Sequence, residues 1–89
     1  MGSMAQAQQH EAYLAQLRWR CRRGLRELDV LLMNYFDHHF RQSSPERKLA
    51  FVSLLELQDP MILSFLTGNA QPRDPAIADI IQQLTLTRV

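Results

Sequence analysis

Residues 18–29 hold the densest group of side chains that could take part in chemistry. The group contains five arginines, two acids and a tryptophan: Arg18, Trp19, Arg20, Arg22, Arg23, Arg26, Glu27 and Asp29. Gly24 divides it. Such a cluster can bind nucleic acid, can lie solvated at a helix end with its stems over apolar surface, or can dock on another protein. The residue types alone leave these three interpretations open.

The other polar residues predict neither an active site nor a metal site. Glu27 and Asp29 are two positions apart on a predicted helix, so their carboxylates face different ways. His38 and His39 are adjacent and lack the i, i+4 spacing of helical metal ligands, so we expect His39 to pack against the core and His38 to be solvated. Cys21 lies on an apolar stripe, which predicts a packed side chain. The sequence therefore indicates a binding protein and not an enzyme.

Charge and composition narrow the class of protein. Ten basic and nine acidic residues give a net charge of +1, which weakens the nucleic-acid interpretation. The single cysteine fits a reducing compartment, and the apolar run "PMILSFL" is too short to span a bilayer. These features predict a cytoplasmic, bacterial protein without membrane insertion. Residues 1–3 have the look of an expression tag, and we expect residues 4–89 to form one small domain.

The Gly24 break separates two predicted amphipathic helices. The stripe of the first helix is formed by His10, Leu14, Leu17 and Cys21. Arg22 and Arg23 lie where cations favour a helix C-terminus, and Gly24 lies where a helix commonly stops. The second helix has Glu27 and Asp29 in its first turn. Its stripe is formed by Leu25, Leu28, Leu32, Tyr35, Phe36 and His39.

Three further helices follow, each opened by a capping residue and a proline. The candidate caps are Ser44 before Pro45, or alternatively a Ser43 and Glu46 capping box, then Asp59 before Pro60 and Asp74 before Pro75. Inward positions are predicted at Leu49, Val52 and Leu55 in the third helix, and at Ile77, Ile80, Ile81 and Leu84 in the last. Gly68 should end the fourth helix. The chain is therefore predicted to be a small, single-domain, all-α bundle of five helices.

The stretch "RRGLRELD" resembles the RGxxE motif of the succinate dehydrogenase assembly factors, the SdhE-type family of flavinylation proteins. The motif falls on Arg23, Gly24 and Glu27. The residues around it are similar to the bacterial members, as are "NYFDHHF" and "LLELQDPMILSFLTG" further along. This resemblance covers nearly the whole native chain and implies the family's small five-helix fold.

What the resemblance implies is a chaperone-like assembly factor. The family promotes covalent attachment of FAD to the flavoprotein subunit of succinate dehydrogenase, and in bacteria of fumarate reductase. It implies that subunit as the partner, no tightly bound cofactor, and at most transient involvement with FAD on the partner. The expected partner-binding residues are Trp19, Arg22, Arg23, Gly24, Arg26, Glu27 and Asp29. The alternative is a small regulatory or antitoxin-like module that binds nucleic acid or another protein through the arginine cluster.

Three expectations describe the geometry around Gly24. Trp19 lies off the first helical stripe, and we expect it to pack beneath another helix. Arg23 and Glu27 have i, i+4 spacing but lie on either side of the glycine break, so they either bridge it or point outward together. Val30 and Met33 lie off the main stripe of the second helix, where they would add apolar area to a partner surface.

Overall fold

The computed structural model describes residues 2–88, with side chains from residue 9 onward. Within this range the chain forms five α-helices and a short 3-10 helix, and no strand. They are α1 (Gly2–Arg20), α2 (Arg26–His38), α3 (Pro45–Leu55), α4 (Asp59–Thr67) and α5 (Pro75–Leu86), with the 3-10 helix at Phe40–Gln42. The prediction of an all-α, five-helix fold is confirmed. α1 begins at Gly2, within the predicted tag, because extending an existing helix costs little. Met1 lies outside the described residues.

One apolar core joins the helices, and Phe51 of α3 lies at its centre. The Phe51 ring packs against three aromatic rings, with centroids 5.3 Å from Tyr35, 6.3 Å from Phe36 and 5.4 Å from Phe40. α3 also packs along α5. Aromatic side chains bury large apolar areas, so this cluster supplies much of the driving force for folding. Tyr35 and Phe36 belong to α2, so this packing fixes the position of α2 and of the predicted site residues in its first turn.

The helix starts follow the predicted caps in two of three cases. The Ser44 hydroxyl accepts a hydrogen bond from the backbone N–H three residues later, at 3.2 Å. Asp74 does the same two residues later, at 2.9 Å. Asp59 does not cap, because α4 starts at Asp59 itself and the carboxylate turns to Arg23. Gly68 ends α4 in the left-handed conformation, as predicted.

Three residues predicted on apolar stripes lie outside the core. Leu49 is 70% exposed, because the inward face of α3 is formed by Ala50, Phe51, Leu54 and Leu55. α3 is apolar on more than one side, so periodicity alone does not select the buried one. Leu25 is exposed because it precedes α2 as its N-cap residue. His10 is exposed in a part of α1 where residues 9–13 have no buried side chain.

Candidate functional site

The turn between α1 and α2, residues 21–25, brings the predicted site residues together, and we call it the corner. α1 ends at Arg20 with tight turns, in which Cys21 N–H and Arg22 N–H bond to carbonyls three residues earlier at 3.1 Å. Gly24 is therefore not the residue that ends α1, and that prediction was wrong. Gly24 has a φ of 89°, in the left-handed region that glycine adopts without strain. Its role is to turn the chain into α2.

Asp29 holds the backbone of the corner. Its carboxylate accepts a hydrogen bond from the backbone N–H of Arg23 at 2.5 Å and another from Gly24 at 3.3 Å. Asp29 lies in the first turn of α2, whose N-cap residue, Leu25, makes no side-chain cap hydrogen bond. A carboxylate placed there faces back toward the N–H groups of the turn. Asp29 was predicted to bind a partner, and the structure engages its carboxylate within the fold.

Arg23 anchors the corner to the segment between α3 and α4. Its Nε–H donates to Asp59 Oδ1 at 2.7 Å, and its two terminal nitrogens donate to the carbonyls of Leu55, at 2.5 Å, and Leu57. The last carbonyls of a helix lack partners in the helix and carry its negative end, so a guanidinium there is favourable. The Arg23 side chain is only 15% exposed.

The predicted geometry of Arg23 and Glu27 is therefore corrected. Arg23 turns inward to the α3–α4 segment, so the two residues neither bridge the corner nor point outward together. Glu27 is exposed. Sequence reasoning missed Asp59 as the partner of Arg23, because the two are 36 positions apart and helical spacing carries no such information. The only signal at Asp59, an acid at a helix start, is also the signal of a cap.

Trp19 lies on the outer side of the corner. It is 68% exposed, so the expectation that it packs beneath another helix was wrong. α1 turns Leu14 and Leu17 to the core, and the opposite side of the helix faces solvent. The guanidinium carbon of Arg22 lies 5.6 Å from the centre of the Trp19 ring, a cation–π distance. The tryptophan therefore braces an exposed arginine.

The first turns of α2 carry further exposed side chains. Arg26 and Glu27 are exposed in its first turn, and Val30, one turn further on, is 62% exposed. Met33 is half-buried and packs against the core, so it adds little to this surface. We call the exposed group formed by Trp19, Arg22, Gly24, Arg26, Glu27 and Val30 the corner surface. It combines an aromatic ring, an aliphatic side chain and charges of both signs, which is a composition suited to a protein partner.

The arginine cluster is divided by ion pairs. Arg18 pairs in bidentate geometry with Asp37 of α2, at 2.9 and 3.1 Å, and Arg23 pairs with Asp59. The Arg18 guanidinium also lowers the pKa of the Asp37 carboxyl. Two of the five cations therefore face acids of the same chain. This weakens the attraction that a continuous basic patch would exert on nucleic acid.

The cysteine and the two adjacent histidines lie in the surroundings that the sequence predicted. Cys21 is fully buried, and burial raises the pKa of its thiol to about 12 despite the nearby arginines. It is a packed side chain, as predicted. His39 is half-buried, with its ring 5.7 Å from that of Tyr35, and His38 is exposed, also as predicted. Residues 2–88 contain no cluster of three or more side chains suited to a metal ion. In the same range, every helix is too short or too polar to cross a bilayer.

Comparison of the sequence with known proteins identifies a family. The family model described as "Flavinator of succinate dehydrogenase" matches residues 15–87. The FAD assembly factor SdhE of Shewanella oneidensis is 38% identical over 71 residues, 80% of this chain and 87% of the relative. That of Yersinia pseudotuberculosis is 35% identical over 68 residues (76% and 77%), and that of Aliivibrio fischeri is 37% identical over 70 (79% and 81%). These relatives are named as assembly factors and not as enzymes. The match spans the corner and every helix except the start of α1, and the chain belongs to the succinate dehydrogenase flavinator family.

Proposed function

We propose that this chain is an assembly factor that binds the flavoprotein subunit of succinate dehydrogenase and promotes covalent attachment of FAD to it. Family membership and the names of the relatives support this proposal. The flavoprotein subunit of fumarate reductase is proposed as a second client. The chain would act in the bacterial cytoplasm as a binding protein, and the bond to the flavin would form in the client's own site.

The observation that carries the proposal is that the residues of the RGxxE motif differ in their exposure to solvent. Arg23 is held inside the fold, while Gly24 and Glu27 face solvent. Apart from its two chain neighbours, no described residue has an atom within 4 Å of a Cβ built at Gly24, so the fold leaves open space above this backbone. Open backbone beside exposed Arg26 and Glu27 is suited to close approach by another protein.

The corner surface would bind by a small number of anchors. Tryptophan and arginine are the residue types that most often dominate binding energy, and Trp19 with Arg22 supplies both. Glu27 and Arg26 carry opposite charges, which fix the orientation of a partner more than they add affinity. Binding at this surface would favour the client conformation in which FAD and its acceptor side chain are aligned, because a ligand shifts an equilibrium toward the state that it binds better.

We propose no tightly bound cofactor on this chain. The sequence has three separated glycines and no glycine-rich dinucleotide fingerprint. FAD would remain on the client, and any contact with it would be transient and made through the corner surface. Equilibrium dialysis measures how much FAD is bound by the free protein, and then how much is bound by its complex with the client. Stoichiometric retention of FAD by the free protein would contradict it.

Covalent flavin on the client subunit tests the proposed function. In a host whose own assembly factor has been deleted, we expect the wild-type chain to restore covalent flavin, and Glu27→Ala to restore much less. Glu46→Ala is the matched control, because it removes an exposed glutamate that lies far from the corner. Glu46 is in the first turn of α3, whereas Arg23 of the corner binds the carbonyl of Leu55 at the last residue of α3. Covalent flavin that is the same with and without the wild-type chain would reject the proposal.

A further inference from the structure

Arg23 is fixed at both of its ends. Asp29 accepts from its backbone N–H at 2.5 Å, and Asp59 and two carbonyls accept from its guanidinium. The two acids come from different helices, α2 and α4. An arginine fork that meets acceptors on both terminal nitrogens and on Nε has little rotational freedom left. The residue immediately before Gly24 is therefore immobilised by two separate parts of the fold.

The backbone conformation of Gly24 depends on an immobilised neighbour more than that of most residues does. Glycine visits left-handed and right-handed conformations with similar ease, so its own preferences do not fix the direction of the corner. Its N–H bond to Asp29 is long, at 3.3 Å, and its surroundings are open. The conformation of the glycine is therefore set mainly by Arg23 before it and by α2 after it.

We infer that Asp59 is a positioning residue for the corner surface, and that Arg23 serves docking through the fold and not by touching the client. By holding the Arg23 guanidinium, Asp59 fixes the backbone on which Gly24 is presented between Arg22 and Arg26. This inference rests on the proposed function. It assigns a role to a residue outside the RGxxE motif and changes the role of the first residue within it.

Hydrogen exchange in the free protein tests the positioning itself. In Asp59→Ala, we expect the backbone N–H groups of Arg23 and Gly24, which donate to Asp29, to exchange at least about tenfold faster than in the wild type. The control is Asp79→Ala, which removes an Arg47–Asp79 pair of similar geometry, 2.8 and 3.2 Å, between α3 and α5. It should leave the exchange of Arg23 and Gly24 unchanged. Unchanged exchange in Asp59→Ala would overturn the inference.

Affinity for the isolated flavoprotein subunit tests whether the positioning matters for docking. We expect Asp59→Ala to weaken binding by about tenfold or more, as truncation of a group that organises an interface does. Asp59→Asn keeps one oxygen for the Arg23 Nε–H and should lie between Asp59→Ala and the wild type. It also serves as the folded variant if the alanine protein is unstable. Asp79→Ala should stay within about twofold of the wild type.

A double-mutant cycle tests whether Asp59 acts on binding through Arg23. If Asp59 acts only through Arg23, adding Asp59→Ala to Arg23→Gln should weaken binding by no more than about twofold further. Independent, additive losses would show that Asp59 affects binding by a route other than Arg23, and would overturn the inference. A wild-type chain that neither binds the subunit nor raises covalent flavin would overturn the proposed function, and the docking role with it. The exchange measurement needs no client and keeps the two failures distinct.

Discussion

Asp29 accepts a hydrogen bond from the backbone N–H of Arg23 at 2.5 Å, across a left-handed glycine that lies between them in the chain. We expect Asp29→Ala to lower the free energy of unfolding by about 1–2 kcal/mol, because hydrogen bonds to a charged group are lost. Asp29→Asn, which keeps one oxygen acceptor, should cost less. Urea denaturation measures both. Glu27→Ala, at an exposed position two residues away, should change stability by no more than about 0.5 kcal/mol. Equal losses in Asp29→Ala and Glu27→Ala would contradict this assignment.

Substitution of Gly24 distinguishes its role in the stability of the turn from its role in contact with the partner. Asparagine tolerates the left-handed conformation, and a Cβ at residue 24 has no described neighbour within 4 Å. Gly24→Asn should therefore cost about 1 kcal/mol or less in stability but reduce covalent flavin on the client. Gly68→Asn is the matched control, with a φ of 81° and equally open surroundings at the end of α4. A folded and fully active Gly24→Asn protein would show that Gly24 serves only the turn and not contact with the partner.

The apolar part of the corner surface can be tested by adding charge. Val30→Asp should leave the helices intact, because the side chain is exposed, but should prevent docking by placing an unpaired charge in the interface. Leu49→Asp makes the same kind of change at an exposed position of α3, outside the corner surface. Circular dichroism checks the fold of each variant, and capture of the purified flavoprotein subunit measures binding. If Leu49→Asp loses binding and Val30→Asp does not, the docking side has been assigned wrongly.

The thiol of Cys21 should be inert in the native protein. Burial raises its pKa to about 12, so at pH 8 it is both protonated and covered. Because the folded-state pKa is raised, the folded state binds this proton more tightly than the unfolded state. The resulting stability is complete below the ordinary thiol pKa and is lost as the pH rises from there toward 12. Labelling with a thiol reagent at pH 8 should follow the urea unfolding curve. Rapid stoichiometric labelling without urea would contradict this.

Nucleic-acid binding should be undetectable at physiological ionic strength, about 0.15 M. Two arginines of the cluster already face acids, and the net charge is +1. Titration of duplex and single-stranded nucleic acid at two salt concentrations measures this directly. Tight binding with a steep salt dependence would favour the regulatory or antitoxin-like alternative over the assembly factor.

Hydrogen bonds between residues close in the sequence were predictable from it, and contacts between residues distant in the sequence were not. The caps at Ser44 and Asp74 act within three residues, so the sequence around them contains the whole interaction. The left-handed conformation at Gly24 was equally predictable from residue type. Trp19 was placed wrongly, because periodicity identifies the residues off a stripe but not whether another helix covers them. The partner of Arg23, Asp59, lies 36 positions away and depends on how three helices pack.

The separation of Arg23 from its acceptors also bears on when the corner can form. The hydrogen bond to Asp29 closes over six positions, but those to Leu55 and Asp59 close over 32 and 36. Contacts that are distant in sequence form only after the entropy of the intervening loop has been lost. A nascent chain on the ribosome therefore displays the RGxxE sequence before the residues that lock its geometry have been synthesised. Under the proposed function, a chain that is not yet complete through α4 is expected to bind the client weakly, because its Arg23 still lacks Asp59.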